Sequence, residues 1–123
     1  EISPLPFRDL SKAEQGESST DIRERVLRAR RIQTERFKNY PNIHCNAQMS
    51  ERMIHEFIEP DDQSLEILRK AMENLKLSAR AYNRILKVAR TIADLEASPK
   101  VQVHHIAEAI GYRSLDRGDW GER

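Results

Sequence analysis

Apolar residues recur at helical intervals along most of the chain, and serine and proline positions cut the pattern into segments. Thr20 is the expected N-cap of a first helix, with Asp21 in its first turn, where a negative charge favours the helix dipole. Ile22, Val26, Ala29 and Ile32 or Gln33 form its apolar face, Phe37 and Tyr40 extend it, and Pro41 stops it. Residues 42–48 form a polar connection containing His44 and Cys45. Ser50 caps a short helix that turns Met53, Ile54, Phe57 and Ile58 inward, and Pro60 breaks it. A helix over 61–76 places Leu65, Leu68, Met72 and Leu75 on one face. Ser78 then caps the longest helix, 79–96, where Ala81, Ile85, Val88, Ile92 and Leu95 recur at spacings of 4, 3, 4 and 3. After the Ser98–Pro99 break and an extended piece at 101–103, a last helix over 104–112 uses Ile106, Ala107 and Ile110.

The two ends read differently. Residues 1–19 contain Pro4, Pro6, Gly16 and a polar run, with Ile2, Leu5, Phe7 and Leu10 but no helical period. They read as the end of a strand and a linker whose partner is missing, so the chain is expected to be cut from a larger protein. Residues 114–123 form a charged tail with Trp120. Between them, 20–113 is expected to be one all-α bundle of four or five helices, since strand signals are nearly absent.

Composition narrows the class. At 123 residues the chain supports one domain with a real core. A single cysteine, Cys45, excludes an internal disulfide framework and, with no signal-like segment, points to a reducing, cytoplasmic setting. No apolar run approaches the roughly 20 residues of a membrane span. The net charge of +1 is unevenly spread: residues 21–40 hold 7 basic and 3 acidic groups, and residues 41–63 hold 1 basic and 5 acidic groups. These opposite stretches read first as mutually attracting helices. The competing reading is a nucleic-acid surface built from Arg23, Arg25, Arg28, Arg30 and Arg31.

Most catalytic signatures are missing. The sequence has no GxxxxGK[ST], HExxH, CxxC or GxSxG motif, and His44, Cys45 and His55 lack metal-ligand spacing, so no metal is expected. His104 and His105 read as one exposed and one packed imidazole. One position asks for a function. Arg80 falls in the first turn of the long helix, where a cation is mildly disfavoured but free N–H groups make an anion receptor. Arg84 and Lys87 follow one and two turns on, along the same side. A guanidinium grips phosphate oxygens with two donors. The competing reading is that Arg80 pairs with an acid such as Glu73, or is simply solvated; Arg90 carries the same alternatives.

The stretch LSARAYNRILKVARTIADL, residues 77–95, resembles the lid helix of magnesium-chelatase-related AAA+ ATPases, and more narrowly their ComM/YifB branch. The blocks EQGESS (14–19), IRERV (22–26), NAQMS (46–50), HIAEAI (105–110) and YRSLDR (112–117) follow in the expected order. Pro4-Leu-Pro-Phe7 is similar to the exit from the last strand of the ATPase core. The resemblance implies a C-terminal helical lid, not an enzyme alone, joined through 1–19 to an absent ATPase core. It implies that Ser78-Ala79-Arg80 is the sensor-2 motif, with Arg80 reaching the γ-phosphate of ATP and Arg84 a weaker contributor. ATP and Mg²⁺ would be cofactors of the full-length parent, with none held by the fragment alone. Its partners would be its own core, neighbouring subunits of a hexameric ring and, through the whole protein, DNA. ComM-like members are similar to helicases acting on branched DNA; the chelatase relatives use ATP to insert magnesium into a porphyrin. The alternative is a helical DNA-binding or protein-interaction module centred on the Arg-rich first helix.

Overall fold

The computed structural model describes residues 18–116, and five helices account for most of them: α1 (Ser19–Arg36), α2 (Glu51–Phe57), α3 (Asp62–Leu75), α4 (Ala79–Leu95) and α5 (Val103–Asp116). A single 3₁₀ turn, Asn46–Gln48, interrupts the connection between α1 and α2. The described residues contain no strand, so the all-α expectation holds. No helix among them is long and apolar enough to cross a membrane. Of the strand end and linker expected at 1–19, residues 1–17 lie outside the described residues, as does Trp120 in the tail, while Ser18 and Ser19 cap and open α1.

Side-chain caps define the helix starts. Ser18, rather than Thr20, caps α1: its Oγ accepts the Asp21 N–H at 3.1 Å. Either hydroxyl suits a cap, but Ser18 stands three residues before a free N–H and lets the helix begin at Ser19. Ser50 and Ser78 accept from Met53 and Ala81, as their positions suggested, and Asp61, expected inside the next helix, caps it by accepting from Ser64. The first helix ends at Arg36, before Pro41. Phe37 closes its last turn by donating to Gln33 O at 3.0 Å, and a turn then carries the chain to Tyr40. The α5 helix starts at Val103 and runs past Tyr112 to Asp116, so of the extended piece expected at 101–103 only Val101 and Gln102 stay outside the helix.

The core gathers around α4. This helix packs against α1, the 3₁₀ turn, α2 and α5, and α3 lies on α5. Ile85, Leu86, Ala89, Ile92 and Ala93 of α4 are buried with Met49, Met53, Ile54, Ile58, Leu68, Val101, Ile106 and Ala109. Phe37, Tyr40 and Phe57 meet edge to face with centroids 5.6 to 6.5 Å apart, fastening the exit of α1 to α2. Four expected inward residues face out. Ile22 and Val26, in the first half of α1, are 46% and 37% exposed, since that helix buries only Ala29 and Gln33. Leu65 is 43% exposed, because α3 buries Ser64, Leu68 and Ala71 instead. Ala107 is exposed while Ala109 is buried, the face of α5 being turned toward α3 and α4.

Candidate functional site

The capped start of α4 determines where its cations stand. With Ser78 as N-cap, Arg80 is the second helical residue, and Arg84 and Lys87 follow on the same side. All three line one open groove of about 950 Å³, together with Asn83, Thr91 and, from the opposite wall, Ala47, Met49 and Glu51. Ile54, Val88, Ile92 and Leu95 form its apolar floor, and Tyr112 stands at one end.

Arg80 is exposed. The carboxylate of Glu73 is held by Arg69 at 2.9 Å, so the Arg80–Glu73 pair is not formed. Among the described residues nothing pairs with the Arg80 guanidinium. Arg84 is also exposed and lines the same groove. Lys87 is partly buried, and its Nζ donates to Ala47 O at 3.0 Å. The arrangement combines permanent positive charge with the positive end of a helix, which suits a polyanion.

Arg90 has a different role. It is buried, donates to Ser98 O at 2.7 Å and to Pro99 O at 3.3 Å, and approaches Asp94 at 3.2 Å. Burial pulls its pKa below the ordinary guanidinium value, an effect the Asp94 carboxylate opposes. Asp94 itself is fully buried and receives two hydrogen bonds from Arg36, at 2.7 and 2.8 Å. Asn46 completes this network, and neither Asn46 nor Asp94 stood out in the sequence. A polar residue within a long amphipathic repeat was the available signal for Asp94.

The arginines of α1 divide by use. Arg23, Arg30 and Arg31 are exposed. Arg28 donates to Leu95 O at 3.0 Å, satisfying a carbonyl in the last turn of α4. Arg25 and Arg28 line a smaller groove that shares Ile92, Leu95 and Tyr112 with the first. The contacts between 21–40 and 41–63 include the hydrogen bond that Tyr40 Oη donates to Glu56 and those that Arg36 and Gln33 make with Asn46, while α1 packs chiefly on α4.

One group of residues has the proximity of a metal site: Glu96, His104 and His105. Its hydrogen bonds argue against a metal. Nδ1 of buried His105 accepts the Gln102 N–H at 2.9 Å, so the neutral ring carries its proton on Nε2 and donates to Glu96 at 2.8 Å. A metal at Nε2 would leave both nitrogens without a proton, opposite to the usual arrangement in which the second nitrogen donates. The trio instead ties the end of α4 to the start of α5, with His105 reaching back to the N-cap position as a capping-box side chain does. His44, Cys45 and His55 are all exposed.

Residues 16–113 match the family described as magnesium chelatase, subunit ChlI C-terminal. The chain is 41% identical over 118 residues to Competence protein ComM of Haemophilus influenzae, covering 95% of this chain and 22% of that protein. It is 37% identical over 116 residues to the uncharacterized protein YifB of Salmonella typhimurium, covering 93% of this chain and 22% of the relative. YifB of Escherichia coli is 38% identical over 102 residues, covering 83% of this chain and 19% of the relative. The chain thus spans about a fifth of the length of these curated relatives.

Proposed function

The chain belongs to the magnesium chelatase ChlI C-terminal family, and from that membership we propose that it is the helical lid of an AAA+ ATPase, with Arg80 as its sensor of the ATP γ-phosphate. The observation that carries the reading is the exposed guanidinium of Arg80 at the capped start of α4, above a groove shared with Arg84 and Lys87. This cationic donor set fits the phosphate end of a nucleotide; it offers little to Mg²⁺, whose oxygen ligands would come from the core. Bound to that core, ATP supplies the phosphoryl group to be transferred. Arg80 presents two parallel N–H donors to terminal phosphate oxygens and stabilises the charge that develops there. Arg84 is the weaker contact. Because Arg80 belongs to the lid, its grip on the terminal phosphate favours the closed arrangement of lid and core, and loss of that phosphate removes the differential contact.

The parent would act as a ring of subunits on DNA, a reading supported by the ComM-like blocks rather than by the groove. Arg80→Ala in the full-length protein is expected to lower ATP turnover on the order of a hundredfold, the usual scale for losing one preorganised donor to transition-state charge. The helical content of the lid, checked by circular dichroism, is expected to persist because Arg80 makes no packing contact in the core. Unchanged hydrolysis would overturn the assignment.

A second reading rests on α1. Its outward Arg23, Arg30 and Arg31 are available to phosphates of a nucleic acid, whereas Arg28 is engaged with α4.

A further inference from the structure

The wall opposite the arginines is held with unusual completeness. Asn46 is 1% exposed, and its side chain makes three hydrogen bonds, with both amide N–H groups used. Its Oδ1 accepts from Arg36 at 2.9 Å, while its Nδ2 donates to Thr91 Oγ1 at 3.0 Å and to Asp94 Oδ2 at 2.9 Å. Its backbone N–H donates to Gln33 Oε1 at 3.1 Å. The 3₁₀ turn is thereby referenced to α1 and α4 at once. The next residue supplies the carbonyl, Ala47 O, that accepts from Lys87 Nζ.

An ammonium has three N–H donors. Ala47 takes one of those of Lys87, and the others remain for an anion in the groove that Lys87 lines. A free lysine side chain has large rotamer entropy, and tethering its tip beforehand reduces what an incoming anion must order. We propose that Lys87 is a third phosphate contact of the groove, beside Arg80 and Arg84, kept aimed by the turn that Asn46 clamps. The proposal rests on the lid reading for the identity of the anion, a nucleoside triphosphate presented by the core. Asn46 is a positioning residue in it: it touches the turn, and the turn holds the lysine.

The test uses the full-length ATPase and reads KM for ATP and kcat separately. Lys87→Met keeps the stem and removes the charge; it is expected to raise KM about fivefold, with a smaller effect on kcat. Lys87→Arg, which restores a cation, is expected to recover most of that loss. Asn46→Ala is expected to raise KM in the same direction, and to add little when introduced into Lys87→Met. An unchanged KM in Lys87→Met overturns the proposal. So does an Asn46→Ala effect as large in the Lys87→Met background as in the wild type. Should Asn46→Ala lose its fold by circular dichroism, Thr91→Val replaces it with the same expected pattern, since it removes one partner of the Asn46 amide. Arg80→Ala, run alongside, separates the two claims. Reduced turnover there with an unchanged KM in Lys87→Met overturns the Lys87 contact and leaves the lid reading standing. Full turnover there with a raised KM in Lys87→Met overturns the Arg80 assignment and supports Lys87 as an anion contact.

Discussion

Asp94 sits at the centre of a buried polar network. Its carboxylate is fully buried and answers Arg36, Arg90 and the amide of Asn46 together. Removing one member of a buried pair leaves the opposite charge desolvated, so Asp94→Ala is expected to cost roughly 3–5 kcal/mol, measured by urea denaturation. Glu96 makes a milder, pH-dependent contribution. The hydrogen bond from His105, then that from His104, holds its carboxyl below the ordinary value of 4.5. A carboxylate with a lowered folded pKa adds stability that is complete above its unfolded value and fades as pH falls through the folded one. The urea midpoint is therefore expected to drop between about pH 5 and pH 3 more steeply in the wild type than in Glu96→Gln. What made residues legible in the sequence was locality. The caps Ser50 and Ser78, and the first-turn position of Arg80, declare themselves within four residues, whereas Asn46 and Asp94 meet across a separation of 48.

Helix ends show the same contrast in a different form. The spacing within α4 was readable because its buried face is wide and repeats without interruption from Ala81 to Ala93. The phase of α3 was not, because its pattern admits both Leu65 and Ser64, and packing against α5 selects the smaller residue. The end of α4 has no glycine to announce it. Ala97 adopts a left-handed conformation at φ 58°, with Ser98 N–H on Ala93 O at 2.8 Å and Ala97 N–H on Asp94 O at 2.9 Å. This double bond is a Schellman closure, which ordinarily takes glycine. Ala97→Gly is expected to stabilise the fold by about 1 kcal/mol, seen as a higher urea midpoint with an unchanged slope. At the other end, Ser78→Ala removes the acceptor for Ala81 N–H and is expected to cost about 1 kcal/mol. That cap also sets the first turn that carries Arg80, so the same variant links element stability to the groove.

At the scale of the molecule, two groups of cations are set apart among the described residues: those of the groove along α4, and those on the outer face of α1. The two grooves meet at Ile92, Leu95 and Tyr112, with Arg25 and Arg28 at the far side of the junction. The network of Arg36, Asp94 and Asn46 fixes α1 against α4, so the outward arginines are presented by a firmly docked helix. Arg23, Arg30 and Arg31 are exposed and, unlike the equally exposed Arg28, are not engaged with α4, with the acids Asp21, Glu24 and Glu35 on the same helix to weaken their field. Neutralising three phosphates would give a log–log dependence of affinity on salt with a slope of about −2.7. If α1 is a nucleic-acid contact, fluorescence anisotropy with duplex DNA at low salt will show weak binding by the 123-residue chain with about that slope. Reversing Arg23, Arg30 and Arg31 to glutamate is then expected to abolish it, while Arg80→Ala leaves it nearly intact, because Arg80 lies in the other group. Absence of low-salt binding, or binding that survives the triple reversal, would remove α1 from any nucleic-acid role. The arginines of α1 would then count as solvated surface charge.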